Sequence, residues 1–421
     1  MNPESVNTVF DLACERYAEL GVDARQALRR LRDVNLSLHC WQGDDVGGFE
    51  PVAGGAGGGI LSTGNFMGRA QTPEQLRADL DQALALIPGR HRLNLHAIYA
   101  DTQGRPVDRD ALEPEHFQSW IEWCRQRGMG MDFNPTFFSH PKAADGLTLS
   151  HPDPEISEFW LNHGRACRRI AAHVGRELGS PCVMNIWVPD GYKDTPVGRA
   201  QARRRLRHAL DQLLARPADP SCQIDAVESK LFGIGAESCT VGSHEFYLGY
   251  AVDKQIALCL DSGHFHPTET VSDKLSAVFE FVPRVLLHVS RPVRWDSDHV
   301  VAFDDELQNI AHELVRGGYL ERVHIGLDFF DATINRIAAW VIGARNTLKA
   351  MCKAFLEPVE RLQQAEQEGD FTFRLALLEE LKTMPFNAVW DYYCQEQGVP
   401  VGRQWLEPVL DYQNRVLAKR G

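Results

Sequence analysis

The chain has 421 residues, more than a single compact core ordinarily holds, so one large domain with an appendage, or two domains, is expected. Its formal net charge of −13 argues against a general binder of nucleic acid or of anionic membranes, and suits a neutral substrate handled with metal assistance. At 44% hydrophobic and 24% charged, the composition is that of an ordinary globular protein. The ten cysteines are scattered without a C-x-x-C pair, and Cys40 and Cys259 sit inside apolar runs. Reduced, buried thiols in a cytoplasmic protein are expected, not a disulfide framework. Residues 2–20 are amphipathic and carry Asp11, Glu15 and Arg16, which does not suit a signal peptide. No uncharged apolar run approaches the roughly 20 residues that span a bilayer.

Residues 5–32 read as helix, with Val6, Phe10, Leu12, Ala13 and Tyr17 on one side, so 1–34 form an N-terminal helical region. Residues 35–41 alternate as a strand and run into a polar, Gly-rich loop, 42–65. The run from Gly54 to Gly59 does not fit G-x-G-x-x-G and opens no helix, so a dinucleotide site is rejected in favour of an active-site lid. A regular alternation follows: helix 73–87 and strand 92–99, helix 113–127 and strand 129–135, helix 154–178 and strand 183–190. It continues with helix 197–215 and strand 224–231, then helix 245–253 and strand 256–260. Helix 271–281 precedes strand 285–290, and helix 304–316 precedes strand 323–330. Strands alternating with helices in this way predict an α/β fold, a (β/α)8 TIM barrel over 35–345. A helix over 335–355 follows, and 346–421 form a C-terminal all-helical extension suited to subunit packing. The basic run 199–208 reads as the solvated face of an outer helix, in keeping with the acidic net charge.

In such a barrel the chemistry sits at the carboxyl ends of the strands. The apolar strand 256–260 ends in Asp261, and a turn at Ser262-Gly263 brings His264 toward it. His96 ends the second strand, Glu228 and Lys230 the fifth; His288 lies on the seventh, with Asp296 and Asp298 in the loop behind it, and Asp328 on the eighth. Asn94, His96 and Ile98 share a phase, as do Asn185 and Trp187, and Gly326, Asp328 and Phe330. Five carboxylates (Glu228, Asp261, Asp296, Asp298, Asp328) converging with His264 and His288 would repel one another without cations. Two divalent ions with Lys230 balance that charge. Oxygen donors with some imidazole suit Mn²⁺, Mg²⁺ or Co²⁺. His264-Phe-His266 also fits H-x-H, but at the wrong strand for the hydrolases that use it, so His266 reads as a loop or supporting residue.

These segments resemble the L-rhamnose isomerases over nearly the whole chain. The resemblance is carried by 39–45, 92–99, 132–135, 225–237, 261–269, 288–299 and 326–331. Glu228-Ser-Lys230 and Asp261-Ser-Gly-His264 are also similar to elements of the xylose isomerases. By this resemblance Glu228, Asp261, His288 and Asp328 hold a structural metal. Asp261 bridges to a catalytic metal completed by His264, Asp296 and Asp298.

The resemblance implies reversible isomerisation of L-rhamnose to L-rhamnulose by a homotetramer carrying two Mn²⁺ per subunit, with Co²⁺ or Mg²⁺ as substitutes. Lys230, Asp328 and His96 are the expected catalytic groups: Lys230 for charge on O1, His96 beside the ring oxygen. Trp41 and Trp187 offer flat faces to the sugar, while Ile98, Tyr99 and Phe330 are expected to seat its methyl group. A two-metal phosphodiester hydrolase would need a basic mouth, which the acidic chain does not offer. A metal-stabilised binding module would hold metal without turning over an aldose.

Overall fold

Apolar segments of four to six residues form the barrel staves. The strands, in a computed structural model, are β1 (Leu36–His39), β2 (Arg92–His96), β3 (Gly130–Asn134), β4 (Cys182–Trp187), β5 (Gly191–Tyr192) and β6 (Gln223–Glu228). They continue with β7 (Cys239–Thr240), β8 (Ala257–Asp261), β9 (Val285–Val289), β10 (Arg291–Val293), β11 (Trp295–His299) and β12 (Val323–Leu327). The structure describes residues 3–50, 62–230, 238–266, 268–293 and 295–420, without the side chains of 295–298. The Gly-rich run 54–59 and its expected role as a lid lie outside the described residues.

The staves close as a barrel in the order β1-β12-β9-β8-β6-β4-β3-β2, and β2 returns to β1. Every pairing around it is parallel. That is the expected (β/α)8 fold, and its strands are buried on both faces, which explains their continuous apolar runs. The pairs β5–β7 and β10–β11 are antiparallel ribbons outside the barrel. Neither was legible as strand, because each spans a few residues inside a loop.

The barrel helices are α3 (Pro73–Leu84), α4 (Gln118–Gln126), α5 (Pro154–Leu178), α6 (Arg199–Leu213), α7 (His244–Lys254), α8 (Ser272–Phe279), α9 (Asp305–Arg316) and α10 (Arg336–Phe355). The prediction for 154–178 matches α5 because both ends are chemically marked. Asp153 caps the Glu155 N–H, and Gly179 ends the helix at φ 61°, where glycine bears no Cβ penalty. The basic run on α6 leaves Arg204, Arg207 and His208 in solvent, as expected of an outer face.

At the amino end the single helix expected over 5–32 is two, α1 (Pro3–Glu19) and α2 (Ala24–Leu31). Gly21 adopts φ 81° between them, and Asp23 caps the new helix by accepting from the Gln26 N–H at 3.0 Å. After α10 come α11 (Val359–Glu368), α12 (Phe371–Leu381), α13 (Phe386–Glu396) and α14 (Leu406–Arg415). The boundary expected at 345/346 falls inside α10, which continues unbroken from barrel helix to extension. The two ends of the chain meet: Phe10 of α1 stacks on Tyr392 of α13, centroids 3.8 Å apart. Arg420 then ties the tail to buried Asp79 of α3 at 2.6 and 2.8 Å. All ten cysteines are free, and no helix of the described residues is long and apolar enough to cross a membrane.

One buried group under the barrel sets an acid limit on stability. His91 accepts the Leu36 N–H through Nδ1 at 3.4 Å and donates from Nε2 to the Pro88 carbonyl at 3.1 Å. Burial pushes its pKa down to about 4, so the folded ring stays neutral where an unfolded histidine, near 6.5, takes a proton. Its contribution is therefore intact above pH 6.5 and is lost as pH falls toward 4, by about 1.4 kcal/mol per pH unit. Denaturant midpoints measured between pH 7 and 4.5 should fall more steeply for the native protein than for His91→Gln; equal slopes would remove His91 from the account.

Candidate active site

Strand register builds the site before any side chain is considered. It pairs Trp187 with Glu228, Asp261 with His288, His288 with Gly326, His39 with Asn94, and His96 with Asn134, all at carboxyl strand ends. Polar groups thus form one layer around the mouth. Gly326 has a steric reason: a Cβ there would lie 2.9 Å from the His288 ring. Only glycine leaves room for the imidazole.

Glu228, Asp261, His288 and Asp328 each bring one ligand atom into a group whose members all lie within 4.8 Å of one another. His288 Nδ1 faces three carboxylates, at 3.0 Å from Asp328 Oδ2, 3.4 Å from Glu228 Oε1 and 3.6 Å from Asp261 Oδ2. All four residues are buried. The outer oxygens are fixed from behind: Asn185 donates to Glu228 Oε2 at 2.5 Å, and the Gly263 N–H donates to Asp261 Oδ1 at 2.6 Å. The inner atoms, Glu228 Oε1, Asp261 Oδ2 and Asp328 Oδ1, have no aligned hydrogen-bond donor among the described residues.

Three carboxylates in low dielectric with unsatisfied lone pairs pointing at one place need positive charge there. The electrostatics respond accordingly. Burial alone would lower His288, yet Glu228 and Asp328 hold its pKa well above the usual range. Burial, reinforced by Asp261 and Glu228, pushes Asp328 up to about 6. These donors fit a hard divalent cation. Cys259, beneath the group and within ligand reach of Glu228 and His288, is kept a neutral thiol by burial.

The other expected ligands are placed differently. His264 stacks along Trp187, rings 6.3 Å apart, with Nδ1 3.1 Å from Glu228 Oε1. Asp296 and Asp298, expected in a loop, belong to strand β11 of an antiparallel ribbon, and their side chains lie outside the described residues. His266 is exposed and bonded to Thr268 Oγ1 at 2.8 Å, as befits a loop residue.

A narrow pocket opens onto the carboxylate group. Among the described residues it is lined by Glu228, Lys230, His264 and Asp328, with aromatic walls of Trp41, Trp187, Phe138 and Phe330. His96, Asn134, Thr136 and Asn185 supply polar atoms. Lys230 Nζ sits 4.8 Å from the centre of the Trp187 ring. His96 stacks on Trp41 at 4.1 Å, and burial with nearby His288 pushes its pKa down to about 3, so it works as a neutral ring. The indole nitrogens of Trp41 and Trp187 and the His96 Nε2 have no partner among the described residues.

Two expected substrate contacts stand apart from the lining that the structure describes. Ile98 and Tyr99 do not line this pocket. Strand β2 stops at His96 and a 3-10 turn, Ala97–Tyr99, takes over, so the alternate-residue phase that placed Ile98 inward no longer holds. Ile98 packs against Gly48, and the Tyr99 hydroxyl donates to Asp44 Oδ1 at 2.6 Å.

Sequence reasoning passed over His39. Asn134 donates to Asn94, Asn94 Nδ2 lies 2.8 Å from His39 Nε2, and His39 Nδ1 lies 3.2 Å from Asp328 Oδ1. This polar ladder crosses three strands and ends beside Asp328. Strand β1 is only four residues long and ends at His39, so periodicity gave it no weight. Asn134, Thr136 and Phe138 were missed because they follow β3 in a loop without periodicity.

Comparison with known proteins places the chain in a family. The family model described as L-rhamnose isomerase (RhaA) matches residues 4–420. An L-rhamnose isomerase of Pectobacterium carotovorum subsp. carotovorum (strain PC1) is 60% identical over 415 residues, covering 99% of both chains. One from Salmonella enteritidis PT4 (strain P125109) is 59% identical over 411 residues, 98% of each. A solved D-psicose 3-epimerase from Clostridium cellulolyticum H10 overlays at TM-score 0.44 and 12% identity, covering 67% of this chain and 93% of that one. That likeness is too distant to bear on function. The match to the family model from residue 4 to residue 420, with such identity along the full length of its relatives, shows that the chain belongs to the L-rhamnose isomerase family.

Proposed function

We propose that this pocket carries out the reversible isomerisation of L-rhamnose to L-rhamnulose, with Glu228, Asp261, His288 and Asp328 holding one divalent ion. A second is read as bound by His264, Asp296 and Asp298, bridged through Asp261. The observation that carries the reading is the group of inward carboxylate oxygens without donors, opening onto a pocket with aromatic walls. Mn²⁺ is the preferred reading, with Co²⁺ or Mg²⁺ as substitutes. When bound, such ions fix the sugar hydroxyls and polarise the oxygens at C1 and C2.

The chain's own groups do the rest. Lys230, buried beside Trp187, is placed to balance negative charge developing on O1. His96, neutral at working pH, offers Nε2 to the ring oxygen or the anomeric hydroxyl as the pyranose opens. Trp41 and Trp187 give flat apolar faces to the sugar's C–H surface and exclude water around it. The cytoplasm is the compartment that ten free thiols suit best. Helix α12 leaves Phe371, Phe373 and Leu375 exposed, which supports reading the C-terminal helices as subunit contacts in a homotetramer.

The direct experiment strips the protein with a chelator, restores Mn²⁺ and assays ketose from L-rhamnose. Ketose formation that depends on the metal supports the reading; a metal-loaded protein that forms no ketose ends it. The seat for the 6-methyl group is assigned to Phe330 and Phe138. Since one methyl discriminates by only ~1–3 kcal/mol, Phe330→Ala or Phe138→Ala should lower the preference for L-rhamnose over L-mannose by about tenfold. Ile98→Ala tests the residue expected from strand phase in the same way, and an unchanged ratio there removes Ile98 from the seat. The ratio of kcat/KM values for the two sugars decides between them.

A further inference from the structure

Buried at the pocket's edge, outside every residue assigned so far, lies Arg109. It opens a short 3-10 turn, Arg109–Ala111, and its guanidinium is fully used. Nε and Nη2 donate to the two oxygens of Glu50 at 2.9 and 3.0 Å. Nη1 donates to the carbonyls of Thr136 and Phe138 at 2.7 and 2.5 Å, and Nη2 also reaches the Ser139 carbonyl at 2.9 Å. One fork thus fastens the loop behind β3 to the segment behind β1.

That loop needs fastening. Thr136 has φ 63° and Ser139 φ 52°, in the left-handed region that a β-branched residue avoids unless its surroundings impose it. It is also held at its ends: the buried, neutral His163 lies between the Arg109 and Pro135 carbonyls and donates its one N–H to one of them, and His140 Nε2 lies 3.1 Å from Asp108 Oδ1. The loop faces substrate directly. Thr136 and Phe138 line the pocket, Thr136 Oγ1 lies 3.4 Å from His96 Nδ1, and Phe138 meets Trp187 edge-on at 5.3 Å.

We propose that Arg109 is a positioning residue that sets the Thr136–Phe138 wall and so the fit of the sugar's apolar end; this rests on the reading of the pocket as an L-rhamnose site. A lysine cannot replace it, because a single ammonium does not span a carboxylate and three carbonyls in one plane. Without the fork the strained backbone relaxes and the wall moves. Glu228, Asp261, His288 and Asp328 stand on or beside other strands and stay where they are. Binding then suffers while the chemical step does not.

The experiment compares the wild type with Arg109→Lys, Glu50→Gln and Arg316→Lys, all Mn²⁺-loaded. Each is assayed on L-rhamnose and L-mannose, and L-rhamnose binding is followed by the fluorescence of the pocket tryptophans. Arg109→Lys should raise KM for L-rhamnose about tenfold, with kcat held within about threefold, and should narrow the preference over L-mannose. Glu50→Gln keeps the carbonyl bonds and loses the charge, so it should shift KM the same way by a few fold, and it carries the test if Arg109→Lys does not fold. Arg316→Lys breaks another fork, from an exposed arginine onto buried Glu357 at 2.7 and 2.6 Å, and neither residue lines the pocket. It should lower stability and leave KM alone. Unchanged KM in the first two variants, a fall confined to kcat, or an equal KM rise in Arg316→Lys overturns the inference. A wild type that neither binds nor turns over L-rhamnose sinks the functional reading first, and this inference with it.

Discussion

Glu228→Gln should abolish turnover, by at least about a thousandfold, and should lower the bound metal while the far-ultraviolet circular dichroism stays native-like. The substitution is nearly isosteric, so it opens no cavity, and its effect has to be electrostatic. Glu228 Oε2 is taken by the Asn185 amide at 2.5 Å, and Oε1 points toward His264 and His288 at 3.1 and 3.4 Å. An amide in that slot must turn its NH2 either at the Asn185 NH2 or at the inward group, and both are wrong for its hydrogens. One negative charge is also lost from a group whose geometry calls for a cation. Metal content by elemental analysis and kcat/KM on L-rhamnose check this together. A variant with full metal content and near-native turnover would show that the carboxylates are structural.

The fold was legible because its signal was repeated: apolar runs of strand length, each followed by a helix with caps such as Asp153 and Gly179. Glu228, Asp261, His288 and Asp328 could be picked out for a related reason. In a parallel barrel the polar residue that ends an apolar strand has nowhere to point but the mouth. Strand phase holds only as far as the strand. Phase carried Ile98 inward on the assumption that β2 continued, whereas the chain turns after His96. Asp328 and Phe330 also lie beyond the end of β12 at Leu327, and both line the pocket.

The residues missed were those whose roles come from tertiary contact. His39 matters because Asn94 and Asp328 come to it from the neighbouring strands, and nothing in a four-residue strand announces that. Phe138 matters because a strained loop turns it toward Trp187, and Arg109 because three carbonyls of that loop lie within its reach. The break between α1 and α2 depends on one glycine in a left-handed conformation, which periodicity alone passes over.

Isomerisation in D2O should leave the ketose essentially free of solvent deuterium at C1 in early turnovers. The expectation follows from where the carboxylates point. A proton route needs a base beside C2 with a pKa near neutrality. Glu228 and Asp261 aim their free oxygens at the common point among the ligands, and Asn185 and the Gly263 N–H occupy their other oxygens. Asp328 is pushed up to about 6 by burial, the nearest of the three to a working base, but a cation held against it lowers that value again. His96 is unsuited, since burial keeps its ring neutral and a poor proton acceptor. The alternative moves the C2 hydrogen to C1 with its bonding pair: the C2–H bond breaks, a C1–H bond forms, O2 becomes the carbonyl oxygen, and O1 gains the proton that O2 gives up. Lys230 beside Trp187 supports the charge that gathers on O1. Solvent exchanges only with oxygen-bound hydrogen along this path. Proton NMR of the ketose at low conversion reads the outcome, and substantial deuterium at C1 would replace the hydride shift with an enediol route and make Asp328 its base.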